Sequence, residues 1–154
     1  MKTVYLAFGG NLGDAKKTIA SAWEALSRVP SVKPEALSAF YVTKPWGYLD
    51  QPDFVNAAGR LQTDLSPEAV LGVCLGIEAA FGRKRRIKNG PRTLDIDVLL
   101  YEGVTRDTPE LTLPHPRMWD RLFVLDPLSE VAEGELKNNV DAARSRLKRE
   151  EGNR

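Results

Sequence analysis

The chain has 154 residues, a formal net charge of +1, one cysteine and one histidine. That length suits a single compact domain with its own core, and the near-neutral balance excludes a surface coated in positive charge for nucleic acid or anionic lipid. One cysteine cannot close an internal disulfide, and one histidine beside one cysteine excludes an ordinary zinc centre or a Cys/His nucleophile pair.

The opening "MKTVYLAFGG" has too short an apolar run for a secretory signal, and no later stretch approaches the length of a membrane span. A soluble, cytoplasmic protein with no membrane or nucleic-acid partner is expected. "TVYLAF" is β-branched and aromatic enough for a first strand, and the turn formers of "GGNLGD" follow it. Asp14 then caps a helix running to about Val29, with Ile19, Ala22, Trp23 and Leu26 on one face. "VKPEALSAFYVT" predicts a second strand, "KPWGYLDQP" a loop and "DFVNAAGRLQT" a third strand. "SPEAVLGVCLGIEAAFG" carries a full set of helix signals: Ser66 as cap, Pro67 in the first turn, Glu68 near the positive end and Gly82 as the stop. Cys74, inside it, reads as a small buried hydrophobe in a reducing compartment. The basic loop "RKRRIKNG" leads into a strand within "GPRTLDIDVLLY", followed by a turn at "EGV" and a short extended piece "LTLPHP". "RMWDRLFVLDPLSEVA" predicts a helical turn and an apolar closing segment. The remainder, from about 133 to 154, reads as a charged tail, solvated helix or disorder, on a single domain spanning 1–154. The order β-α-β-β-α-β predicts an α+β fold, a ferredoxin-like α/β sandwich with a largely antiparallel sheet and helices packed on it.

Within "GPRTLDIDVLLY", alternation puts Asp95 and Asp97 on one face with Thr93 and Leu99, and Leu94, Ile96, Val98 and Leu100 on the apolar face. Two carboxylates about 7 Å apart on a strand repel unless something positive sits between them. Hard oxygen donors without imidazole or thiolate suit Mg²⁺, which takes one or two carboxylates plus phosphates and water. A bare Asp-x-Asp is more often the solvated face of an edge strand. Here Arg83, Lys84, Arg85, Arg86, Lys88 and Arg92 crowd the residues just upstream, and their self-repulsion is relieved by a bound anion. A cationic loop feeding a dicarboxylate strand is the charge pattern of a magnesium–nucleoside triphosphate site.

"GPRTLDIDVLL" closely resembles the signature of the 6-hydroxymethyl-7,8-dihydropterin pyrophosphokinase family. "YLAFGGNLGD", "FYVTKPWGYLDQPDFVNAA", "IEAAFGRKRR" and "LTLPHPRMWDRLFVLDPL" resemble further blocks of that family in the same order, from Val4 to Leu128. The resemblance implies transfer of pyrophosphate from ATP to the pterin's hydroxymethyl group, with release of AMP, in folate biosynthesis. It implies that Asp95 and Asp97 bind two Mg²⁺ ions and that Arg83 and Arg92 are catalytic guanidiniums. Glu78, Arg85, Thr112, His115 and Arg121 match ATP-contacting positions. Phe54 and Phe123 resemble a stacking pair for the pterin, Asn56 the residue that reads its edge, and Thr43, Lys44 and Trp46 further contacts to that edge. Relatives of this kind are often monomeric, so a monomer is expected, and the loops around Gly47 and Arg86 are expected to close over both substrates and exclude water.

Two other classes fit parts of the pattern. A nucleotidyltransferase of the polymerase β kind also joins a glycine-rich turn to Asp-x-Asp, but keeps the two close in sequence, whereas Gly9-Gly10 and Asp95 lie most of the chain apart. A ferredoxin-like RNA-binding module wants exposed aromatics on its central strands and no paired carboxylates facing phosphate.

Overall fold

The computed structural model describes residues 1–45, 47–82 and 90–153. Alternation along strand β1 (Lys2–Gly10) sets the architecture. Val4, Leu6 and Phe8 enter one apolar core, while Tyr5 and Ala7 face a second core on the other side. A strand apolar on both faces belongs mid-sheet. Accordingly β1 lies between β4 (Phe54–Thr63) and β5 (Asp95–Tyr101), with β2 (Val32–Leu37) beyond β4 and the short β3 (Tyr41–Thr43) continuing along it. All of these pairings are antiparallel. The strand order β2-β4-β1-β5, with a helix in each long connection, is that of the ferredoxin-like sandwich the sequence predicts.

Helices cover both faces. The first core holds α1 (Ala15–Ser27), through Ile19, Ala22 and Leu26, and α2 (Pro67–Ala80), through Val70 and Cys74. Their caps are those legible in the sequence: Asp14 accepts from the Lys17 N–H at 3.2 Å, and Ser66 from the Ala69 N–H at 3.1 Å. Gly82 ends the second helix region at φ +79°, a conformation that costs glycine nothing. The second core is closed by a 3-10 turn (Met118–Asp120), α3 (Leu122–Val131) and α4 (Gly134–Gly152). A small separate ribbon of β6 (Arg106–Asp107) and β7 (Thr112–Leu113) follows β5.

Three sequence expectations need correction. The single strand predicted across "VKPEALSAFYVT" is two, because buried Ser38 substitutes its hydroxyl for a backbone acceptor: Ser38 Oγ takes the Ala58 N–H at 2.9 Å. From Leu37↔Gly59 to Tyr41↔Asn56, four steps on one strand meet three on the other, so the ladder breaks. Next, the alternation of β5 fails at its far end: the register passes from Leu6↔Val98 to Tyr5↔Leu100, leaving Leu99 as a bulge. Leu99 and Leu100 therefore both pack in the second core, and Leu100 does not share the face of Leu94, Ile96 and Val98. Finally, the charged tail is an ordered helix seated on the protein. Val140 is fully buried, Leu136, Ala143 and Leu147 pack beside it, and Arg144 reaches Asp126 of α3 at 2.8 Å.

Candidate active site

The second face of the sheet is covered only in part. Tyr5, Ala58 and Leu99 lie beneath the helices, but nearer the carboxyl end of β1 that strand contributes only Ala7 and Gly9 to this face. In register, Asn56 and Asp95 flank Gly9, while Ala58 and Asp97 flank Ala7. Two small residues thus leave a floor between an amide and a pair of carboxylates. A Cβ on Gly9 would already lie 3.4 Å from Asn56 Oδ1. Above the floor is a cavity of about 630 Å³, a size suited to a small-molecule ligand.

Thr43, Lys44, Phe54, Asn56, Arg92, Asp95, Asp97, Arg121 and Phe123, all singled out from the sequence, line this cavity. Residues from four strand or loop segments and the start of α3 are brought together there. Asn56 Nδ2 donates to Thr43 Oγ1 at 2.8 Å, which orients the amide on the floor. Arg92 Nη1 donates to Asp95 Oδ2 at 2.6 Å, so a guanidinium supplies part of the positive charge that the two carboxylates demand. The same guanidinium stands 5.7 Å from the ring centroid of Phe54, and that of Arg121 stands 5.5 Å from the ring of Phe123. Each phenylalanine therefore carries a cation on its face, a contact of roughly 0.5–1 kcal/mol in such half-exposed settings.

Three other predicted residues lie outside the lining. Glu78, buried on α2, accepts the Ile96 N–H at 2.6 Å and so grips β5 between the two aspartates. Behind that strand, burial pushes the Cys74 thiol up to about 12, with the Glu78 and Asp97 carboxylates adding to the shift. Thr112 sits half-buried on β7. His115 is anchored through its backbone N–H to the Leu99 carbonyl at 2.8 Å. Burial lowers its imidazole below the usual value; Asp97 opposes that shift, while Arg121 and Arg117 add to it. Trp46, Arg83 and Arg85 fall outside the described residues.

Sequence reasoning missed two groups. One is the far wall of the cavity, formed by Leu147, Glu150 and Glu151 of α4. Its signal was available: Leu136, Val140, Ala143 and Leu147 recur at helical spacing through the charged run. The other is Asn11, buried and bonded to both Gln51 and Arg92, which reads in sequence merely as a turn residue.

The donor chemistry at the carboxylates fits magnesium. No imidazole or thiol is among the lining residues; Asp95 and Asp97 share one strand face, while Asp120, Glu150 and Glu151 line the cavity from the helical side. Among the described residues no cluster of three His, Cys, Asp or Glu side chains is placed to hold an ion. Coordination beyond the aspartates would thus fall to water and to a ligand's phosphates, as is usual for Mg²⁺.

A family model described as 7,8-dihydro-6-hydroxymethylpterin-pyrophosphokinase (HPPK) matches residues 5–133. The chain belongs to this family. The 2-amino-4-hydroxy-6-hydroxymethyldihydropteridine pyrophosphokinase of Methylorubrum extorquens is 48% identical over 132 residues, 86% of this chain and 84% of that protein. The Bacillus subtilis pyrophosphokinase of the same name is 40% identical over 129 residues, covering 84% and 77% respectively. Among solved structures, an HPPK-DHPS in complex with substrates superposes with a TM-score of 0.67 at 14% identity. The alignment takes in 94% of this chain but only 43% of that one, and at such identity the likeness concerns the fold alone. The pyrophosphokinase family match stops at residue 133, just before α4 begins at Gly134.

Proposed function

We propose that the chain transfers pyrophosphate from ATP to the hydroxymethyl group of 6-hydroxymethyl-7,8-dihydropterin, releasing AMP, as a step of folate synthesis. The observation that carries this reading is the shared cavity. Asp95 and Asp97 lie across Gly9 and Ala7 from Asn56, with Phe54 and Phe123 on the same lining. A flat heterocycle with a donor- and acceptor-rich edge suits two aromatic faces and a fixed amide. An acceptor hydroxymethyl carried by such a ring would project from the Asn56 side of the floor toward the aspartates.

Asp95 and Asp97 would hold two Mg²⁺ ions, which when bound supply positive charge to the triphosphate and make the acceptor oxygen more nucleophilic. The remaining work belongs to the chain. A ring stacking on Phe54 and Phe123 displaces the guanidiniums of Arg92 and Arg121, contacts weak enough to give way. Both are then at hand for phosphate oxygens, where charge-assisted hydrogen bonds are stronger. Arg92 would join Arg83 in offsetting charge that builds on the transferring group, and Arg85, Thr112, His115 and Arg121 would hold the nucleotide. Glu78 would serve that side as well, through its hold on the strand bearing the aspartates. Thr43, Lys44 and Trp46 would complete the pterin's surroundings. With metal activation available, His115 is assigned a phosphate contact and no role as a base. The chain would act as a monomer on two small molecules.

The test is direct. Purified protein with ATP, Mg²⁺ and the hydroxymethyl-dihydropterin should form AMP in step with the pyrophosphorylated pterin. Release of ADP, or of free pyrophosphate in place of AMP, overturns the assignment.

A further inference from the structure

Asn11 lies at the end of β1 outside the cavity lining, 4% exposed, and every hydrogen-bonding atom of its side chain is engaged. Its Nδ2 donates to Gln51 Oε1 at 2.8 Å and to the Pro52 carbonyl at 2.9 Å. Its Oδ1 accepts the Arg92 N–H at 3.0 Å, and its own N–H returns a bond to the Arg92 carbonyl, also at 3.0 Å. Leu12 N–H joins that carbonyl at 3.3 Å. Gln51 passes the connection on, since its Nε2 donates to the Tyr48 carbonyl at 2.6 Å. One planar amide therefore ties three segments distant in sequence: the turn after β1, the loop that leads into Phe54, and the backbone that carries Arg92.

We propose that Asn11 is a positioning residue that couples the two substrates, so that ordering the pterin-side loop also orders the Arg92 segment, and the reverse. The inference rests on the functional reading above, in which Phe54 belongs to the pterin and Arg92 to the transferring phosphates. The physical reason is economy of ordering. A ligand that fixes one segment through a shared rigid amide lowers the entropy the second ligand must remove, which gives positive cooperativity between sites. An amide suits the task because Nδ2 offers two donors to one segment while Oδ1 accepts from the other.

The experiment is a binding cycle by calorimetry. The affinity of a non-hydrolysable ATP analogue with Mg²⁺ is measured with and without the pterin, for the wild type, Asn11→Ala and Gln51→Ala. The wild type is expected to show a coupling ratio in the range of roughly 5–150-fold. Gln51→Ala, which removes one arm at a half-buried loop position while Asn11 Nδ2 keeps the Pro52 carbonyl, should lower the melting temperature only slightly and is expected to lower that ratio about fivefold, the worth of one hydrogen bond. Asn11→Ala should lower it further. A merely structural role would weaken both affinities and preserve the ratio. The proposal is overturned if Gln51→Ala keeps the wild-type ratio, even where Asn11→Ala fails to fold, or if the wild type itself shows no coupling. A wild type that binds neither ligand and forms no AMP overturns the functional reading instead.

Discussion

Asp97 and His115 are the residues at which the site's electrostatics are most open to measurement. Asp97 is the one exposed residue of β5, between buried Ile96 and Val98, and its side chain lies outside both apolar cores, so shortening it should not disturb them. Asp97→Ala is expected to reduce AMP formation at least about a hundredfold, by the scale of losses seen when a charge-stabilising group is removed. Its circular dichroism and melting temperature should stay near wild type; near-normal turnover would refute the role in metal binding. His115 is the only histidine in the chain, so its imidazole can be followed alone by NMR. Burial holds it below its ordinary 6.5, which means the folded protein binds that proton less readily than the unfolded chain. The linked stability is therefore complete above pH 6.5 and is lost as pH falls through the lowered folded value. An imidazole titrating at or above 6.5 in the folded state would contradict this.

Among the elements, α1 and β4 meet closely over a missing side chain. Gly59 lies under Trp23, and a Cβ there would come within 2.4 Å of the indole Cζ3. The indole is itself held edge-on against Phe8, ring centroids 5.9 Å apart. Gly59→Ala gains about 0.4–1 kcal/mol by restricting the unfolded chain. Overpacking costs about 1–3 kcal/mol and should win, lowering the urea midpoint and altering the Trp fluorescence. A midpoint equal to or above wild type would show that the indole has room to move.

Elements of this kind were legible in sequence wherever a local rule decides them. Asp14 and Ser66 announce helix starts because their side chains bond to the next turn, and "TVYLAF" announces a strand by its β-branched and aromatic content. What escaped was decided by partners distant in the chain. The Ser38 hydroxyl breaks the second strand by taking an N–H from β4, and the Leu99 bulge appears only when β5 is laid against β1. The site divides in the same way. Residue types and charge pattern picked out the aspartates, and the family resemblance picked out the phenylalanines and Asn56, all of which line the same cavity. Asn11 touches no cavity surface and acts through backbone atoms of two loops, so no local pattern marks it.

For the molecule as a whole, the question is whether residues 134–152 belong to the fold or merely follow it. Burial of Val140 and partial burial of Leu136 and Leu147 argue that α4 closes the second core. A chain ended at Glu133 is expected to lose roughly 3 kcal/mol or more of stability, the scale of burying one aliphatic side chain fully and two in part. Urea denaturation of the shortened and full chains measures this. An unchanged midpoint would make α4 an ornament, whereas a single cooperative transition in the full chain would support one folding unit over 1–154.

The same helix has a bearing on inhibitor design. The floor of the cavity, with its glycine, alanine, amide and aspartates, lies in the stretch that the family model matches, but the wall of Leu147, Glu150 and Glu151 lies beyond it. On the proposed function, a compound shaped to the floor alone would engage only the part of the site that lies within the family match. One that extends a cationic or apolar arm onto that wall gains a handle for selectivity, because it reads a part of the protein that the shared signature leaves unspecified.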